Sequence, residues 1–331
     1  MRKLFTRVLH AALLLAIGWG IYRVLAPELG RLSLADLTRW RPAIMPLAAS
    51  LILLIAVYTS HALLWRRIMR DLEIGHPSVA TTLRIYFLAS LGRYLPGKLW
   101  QLAGLAVLAG KAGLPPAKAT AASILGQFGF LTTGMLFLGL MLPEWRSALP
   151  EGSDVPATLP LALGTALLAA AGVILWTLVA TPVGHGFRER IGSRLGRRLG
   201  ERLSTAFRLA DRVRARDALF WAAGYTLSWV ALGAAFALFV GAFEPAAAGM
   251  GRFLAGTVAA AYLIGYLAVF APAGIGVREF AMVLLLQQVL PEAGLAIVVS
   301  VLSRVWFTAA ELVPLAFLPV MGPLTREEKP G

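Results

Sequence analysis

The chain has 331 residues, 58% of them hydrophobic and only 15% charged, where soluble domains carry about 25% charged residues. That balance excludes a soluble globular protein, and in an integral membrane protein the net charge of +14 speaks for topology rather than for nucleic acid. With no Cys there is no disulfide framework, thiolate metal site or Cys nucleophile, and the four His (His10, His61, His76, His185) show no ligand spacing.

The N-terminal stretch MRKLFTRVLHAALLLAIGWGIYRVLA has a basic start and an apolar core. No small-x-small cleavage site follows, and Trp19 and Tyr22 read as interfacial anchors, so it is taken as a retained first span over about 8–26 rather than a signal peptide. Arg23 snorkels at the end of that span. A transmembrane helix needs about 20 apolar residues. Five further stretches supply them, at about 43–65, 117–142, 157–180, 219–243 and 293–320.

Two longer stretches do not fit a single span. Residues 79–110 are broken by GRYLPGK and residues 250–290 by APAGIGVRE. Each break combines Pro and Gly, and non-helical backbone at membrane depth survives only when buried in protein or lining a cavity. Both read as re-entrant helical hairpins; the alternative is two ordinary kinked spans, because Pro and Gly are tolerated in spans. The first break also opens like a phosphate-binding P-loop, G-x-x-x-x-G-K. Leu99 stands where a Ser or Thr would hold Mg²⁺, and LRIYFLASL upstream is one more long apolar run, so the motif does not make the chain an NTPase.

Charge fixes the orientation. With the N-terminus in the cytoplasm and each hairpin returning to its own side, most of the 31 Lys and Arg fall in the cytoplasmic segments 1–7, 66–84, 111–118, 181–217 and 321–331. The external segments 27–42, 143–156, 244–252 and 290–294 hold few. Residues 41–142 then run span, hairpin entered from the cytoplasm, span. Residues 219–320 run span, hairpin entered from outside, span. That is an inverted-topology repeat within one transmembrane domain over 1–331, the architecture that sets a binding site at the midplane between broken helices. The segment 181–217 links the repeats. Phe187, Ile191, Leu195, Leu199, Leu203 and Phe207 recur at four-residue spacing with Arg on the other sides, so it reads as a basic amphipathic helix on the inner leaflet.

Charge inside the membrane is expensive and functional by default, yet usually paired. The candidates are Arg93, Lys98, Arg278, Glu279, Arg304 and Glu311. Arg93 and Lys98 flank the first break; Arg278 and Glu279 follow the second. Arg304 and Glu311 lie two turns apart on one helix face, with Ser300 and Thr308 close to that stripe. Ion pairing of Arg278 or Arg304 with Glu279 or Glu311 is the bland account. Four cations against two carboxylates leave a surplus, however, and half-helices beginning near Lys98 and near Val277 direct free N–H groups and positive dipole ends at the same region. Such a cavity suits a phosphate, held by P-loop-like physics without hydrolysis. Gly92 and Gly97 let backbone approach closely, Pro96 stops the first half-helix, and Gln101 and Gln127 add neutral donors. Glu279 either neutralises an arginine or receives a cationic group of the substrate. No close carboxylate pair, His beside a Ser, or metal-ligand cluster supports catalysis, so no enzyme activity, cofactor or metal is expected.

LGRYLPGKLWQLAGLAVLAGKAGL, APAGIGVREFAMVLLL and LSRVWF together resemble the flippase-like lysylphosphatidylglycerol synthase transmembrane family. The family's marks are a G-R-x-x-P-G turn, a later P-x-G-x-G-x-R-E turn, and an Arg in the helix that follows. They map onto Gly92, Arg93, Pro96 and Gly97; onto Pro272, Gly274, Gly276, Arg278 and Glu279; and onto Arg304. The resemblance covers nearly the whole chain. It implies movement of lipids such as aminoacylated phosphatidylglycerol between leaflets, or a place beside polyprenol-linked sugar and hopanoid pathways. The soluble aminoacyl-transferase domain of the fused members is absent, so a separate enzyme is expected to make the lipid. Gln127 also stands where many relatives carry Arg.

The expectation is an all-α polytopic protein of the bacterial cytoplasmic membrane, with both termini cytoplasmic. It has about six full spans and two re-entrant hairpins, and it moves a phosphate-bearing lipid between leaflets. Headgroups enter a polar cavity between the hairpins while acyl chains stay in the bilayer. Its partners are membrane lipids with phosphate headgroups, not nucleic acid; a homo-oligomer is compatible with this reading. A secondary transporter of a small anionic solute is the leading alternative, and a membrane-embedded lipid transferase the third.

Overall fold

The computed structural model describes residues 40–94, 100–141, 213–267 and 276–317. All regular structure among them is helical. The helices are α1 (Ile44–Asp71), α2 (Val79–Ser90), α3 (Trp100–Lys111), α4 (Pro116–Met141), α5 (Ala215–Gly241), α6 (Gly251–Leu267), α7 (Val277–Leu286) and α8 (Ala293–Ala316). Short 3-10 turns cover Leu91–Tyr94 and Pro245–Met250.

Five helical segments are long and apolar enough to cross a membrane: Ile44–Asp71, Pro116–Met141, Ala215–Gly241, Pro245–Tyr266 and Ala293–Ala316. Four coincide with spans read from the sequence. The fifth, Pro245–Tyr266, falls mostly in the first arm of the hairpin expected at 250–290: the 3-10 turn runs into α6 and gives a segment of 22 residues. The spans expected at 8–26 and 157–180, and the amphipathic positions 187–207, lie outside the described residues. Ile52, Leu63, Phe128, Leu227, Val301 and Val305 expose apolar side chains from these long helices, as lipid contact requires.

The broken stretch 79–110 is built from two 12-residue helices, α2 and α3. At 1.5 Å per residue each is about 18 Å long, well short of a hydrocarbon core of about 30 Å. Local chemistry sets their outer ends. Ser78 caps α2, its hydroxyl accepting the Thr81 N–H at 3.2 Å. Ahead of it, α1 ends in a Schellman closure: Glu73 at φ 53° donates to the Arg70 carbonyl (3.0 Å) and Ile74 to the Met69 carbonyl (2.9 Å). At the far end of α3, Gly113 at φ 79° supports the same motif, with Leu114 N–H on the Ala109 carbonyl at 3.0 Å. These two loops are neighbours, since a Cβ on Gly75 would stand 2.7 Å from Leu114 Cδ2. The second broken stretch is asymmetric. α6 has 17 residues, about 26 Å, and α7 only 10, about 15 Å.

The chain divides into two compact units. The first takes, of the described residues, 40–54, 141, 231–267 and 276–309; the second takes 55–94, 100–140, 213–230 and 310–317. Each draws on both the 41–142 and 219–320 stretches. In the first unit the core is aromatic: Phe239 stacks on Trp306 at 4.9 Å, and Phe236 lies beside both. The Ala43 N–H donates to the Ala242 carbonyl at 2.7 Å, tying the start of α1 to the end of α5. In the second unit α4 and α5 meet through glycines. Trp229 stacks on Phe130 at 4.4 Å and donates its indole N–H to the Phe130 carbonyl at 2.9 Å. The ring occupies the space a side chain at Gly134 would need, 2.6 Å from Cε2, and the Tyr225 hydroxyl stands 2.5 Å from where a Cβ on Gly126 would be. Small residues at such contacts are how apolar helices approach closely in a membrane. Asp71 closes the unit's charged end, accepting Arg67 Nε at 2.8 Å and Trp221 Nε1 at 3.0 Å.

Candidate functional site

In the first unit, α7 starts on Gly276, whose φ of 82° suits a residue without Cβ. The turn directs the Gly276 N–H back onto Glu279 Oε2 at 2.7 Å. A carboxylate in the first turn also complements the positive end of the helix. The other oxygen, Oε1, accepts Arg304 Nη1 at 2.7 Å and stands 3.1 Å from Arg278 Nη2. One carboxylate thus holds a helix start and two guanidinium groups. α8 reinforces the arrangement: Ser300 donates to the Glu279 carbonyl at 2.9 Å, and the Arg278 guanidinium lies over the Phe307 ring, 4.7 Å from its centroid. α6 makes room, because a Cβ at Gly265 would stand 2.9 Å from Arg278 Cβ. Side-chain exposure is 14% for Arg278, 13% for Glu279 and 31% for Arg304. Two cations and one anion leave the cluster net positive. Arg278 Nε is buried and makes no hydrogen bond.

In the second unit, Arg93 sits on the 3-10 turn after α2 and its Nη1 bonds Glu311 Oε1 of α8. The Glu311 side chain is only 4% exposed. The turn is possible because Gly92 meets the start of α3: a Cβ there would stand 2.6 Å from both the Trp100 carbonyl carbon and the Gln101 nitrogen. These are backbone atoms with no rotamer to yield. Gly92→Ala is therefore expected to lower stability by about 1–3 kcal/mol, the range for forcing atoms into a packed contact. Thermal denaturation of the purified protein in detergent checks it, and an unchanged midpoint would remove the close approach from the account. The His61 ring, within electrostatic reach of Arg93, packs against Phe130 at 4.6 Å and Tyr225 at 5.9 Å.

The structure thus brings Arg278, Glu279 and Arg304 together, and separately Arg93 and Glu311. It gives Glu279 the arginine-neutralising contacts, one of the two roles the sequence left open. Arg304 and Glu311, placed on one helix face by their spacing, take different partners. Gln101 is the second residue of α3, and Gln127 Nε2 on α4 is buried without a hydrogen bond. Lys98, Pro96, Gly97, Pro272 and Gly274 lie outside the described residues. Sequence reasoning overlooked Arg84, counted with the cytoplasmic segment 66–84; it lies within α2 with two guanidinium nitrogens buried. It also gave no role to His61, although a His in the middle of an apolar run is itself a signal.

Chemically, the first cluster offers guanidinium donors and a helix N-terminus with excess positive charge, which suits an oxyanion. Among the described residues, no group of three His, Asp or Glu could hold a metal ion. A family model described as the lysylphosphatidylglycerol synthase TM region matches residues 7–310 of the chain. No curated protein and no solved structure matches it.

Proposed function

Because the chain belongs to the lysylphosphatidylglycerol synthase TM region family, we propose that it moves a phosphate-bearing lipid between the leaflets of the membrane. The observation that carries the proposal is the net-positive cluster of Arg278, Glu279 and Arg304 at the start of α7. Lipid phosphates are the oxyanions a membrane supplies in quantity, and guanidinium forks match them. Arg93 and Lys98 are two further cations in the sequence of the first broken stretch. Both carboxylates at membrane depth are engaged by arginines, which favours translocation over an acid–base transfer reaction. Reconstitution into vesicles with a headgroup-labelled phospholipid tests the reading. Protein-dependent loss of protection from an impermeant quencher is expected. Transport of inorganic phosphate with no lipid movement would replace it by a small-anion transporter.

The hairpin of α2 and α3 is part of the proposal. Two helices of about 18 Å, with Gly75 beside Leu114, support a segment that enters and returns on one side. The repeated order of a long helix, two arms and a long helix supports two halves of opposite orientation, and the Lys and Arg distribution supports cytoplasmic termini in a bacterial inner membrane. The Cys-free chain allows a clean check. His76→Cys and Lys111→Cys, at exposed positions, should react with an impermeant maleimide from the same side. Labelling from opposite sides would make α2 and α3 the halves of a kinked span.

A further inference from the structure

We infer that the end of the second unit where α1 finishes and α5 begins is a docking surface for an anionic phospholipid that the protein holds rather than moves. The inference does not rest on the translocation reading, and none of its residues belongs to either arginine–glutamate cluster. Asp71 and Trp221 fix the two helices to each other at this end, 3.0 Å apart. Residues 66–73 and 213–220 carry Arg66, Arg67, Arg70, Arg214 and Arg216 against Asp71, Glu73 and Asp217. Burial decides the sign of the surface. The Asp71 and Asp217 side chains are only 8% and 10% exposed, those of Arg70 and Arg216 47% and 75%. Arg67 is anchored through Nε to Asp71 at 2.8 Å, and its guanidinium lies over the Phe220 ring, 4.6 Å from the centroid. Arg70 and Arg216 come no nearer than 3.9 Å and 3.5 Å to these carboxylates, beyond the usual N–H···O range, which leaves their forks available to a phosphate. The same face continues as hydrocarbon. Arg216, Phe220, Ala223, Leu227 and Val230 recur at i, i+4, i+7, i+11 and i+14, so they form one stripe of α5, and all are exposed. At 1.5 Å per residue the stripe runs about 21 Å from the guanidinium, more than one leaflet's share of a hydrocarbon core of about 30 Å. An acidic protein segment would answer the arginines alone. A phospholipid answers both features, its headgroup on the arginines and its chains along the stripe, and a net negative headgroup is the one that basic residues draw.

A single fluorophore on the Cys-free chain tests this. Leu219→Cys, exposed between Arg216 and Phe220, carries the label at the proposed site, and Phe128→Cys, exposed on α4, carries it where bulk lipid is read. Phosphatidylglycerol and phosphatidylcholine with the same brominated chains are compared as quenchers in phosphatidylcholine vesicles. A preference for phosphatidylglycerol of at least about fivefold is expected at position 219, since each basic residue at a membrane surface adds its own attraction for anionic lipid, and none at position 128. Arg70→Gln with Arg216→Gln should abolish the preference, and Arg70→Lys with Arg216→Lys, which keeps the charges, should retain most of it. High salt should weaken it with every arginine in place. Equal quenching by the two lipids at position 219, the same preference at position 128, or a preference that survives the Gln pair or high salt overturns the inference. Quenching by neither lipid at position 219 overturns it too, in favour of a protein segment or a second copy covering the face.

Discussion

Arg93→Ala is expected to cost about 3–5 kcal/mol of stability, the range for removing one partner of a buried ion pair. The loss comes from what remains. Glu311 is 4% exposed in an apolar helix, and without Arg93 its charge loses a bonded partner of opposite sign. Glu311→Gln removes the charge with the shape kept, so Arg93→Ala combined with Glu311→Gln should be more stable than the sum of the single losses predicts. A double-mutant cycle on detergent-solubilised protein reads this coupling, and pairs in contact couple by about 0.5–3 kcal/mol. Additive losses would mean that the pair does not hold this part of the structure together. The double variant also separates two roles. If it folds but moves no lipid, Arg93 contacts the headgroup as well; if it folds and transports, Arg93 is a structural partner of α8.

Glu279→Ala should be as damaging, for a different reason. It removes the acceptor for the Gly276 N–H, worth about 1 kcal/mol in a helix cap, and it leaves Arg278 and Arg304 facing each other across a mostly buried space without their shared counter-ion. A total loss of about 3–5 kcal/mol is expected. Glu279→Gln keeps one acceptor oxygen, for the cap or for Arg304 but not for both, while deleting the negative charge. It should fold better than Glu279→Ala and retain an anionic lipid more tightly than wild type, because the cluster gains one positive charge. Thermal midpoints and lipid retention on the same preparations decide it. Equal destabilisation by Gln and Ala, with no gain in retention, would show that the acceptor capacity of Glu279 does not matter and that its charge does not oppose the anion.

The start of α7 was legible because Pro272, Gly274 and Gly276 punctuate an apolar run, and Arg278 and Glu279 follow it at once. The long apolar helices were legible for the same reason. Pairing was not. Glu311 and Arg93 are separated by 218 positions, and hydropathy treats every arginine at membrane depth alike. Which of them meets which glutamate depends on the packing of helices far apart in sequence. Spacing placed Arg304 and Glu311 on one face of α8, which was sound local geometry, but the neighbours of that face belong to other helices. The full length of Pro245–Tyr266 was not legible, because hydropathy does not mark where a helix begins; the 3-10 turn at Pro245–Met250 supplies the extra length. Gly134 was visible only as a small residue in α4, with no sign that Trp229 fills the gap it leaves.

That indole has a mechanical consequence. Trp229 works as a peg, seated over Gly134, stacked on Phe130 and bolted by its N–H to the Phe130 carbonyl. Sliding α5 past α4 by one turn, about 5.4 Å, would break the bolt and drive the ring into positions that carry side chains. A ratchet of one element past another is a common way for helical proteins to switch state. It is closed to this pair, so the two helices around the peg turn or tilt only together, like parts keyed to one shaft.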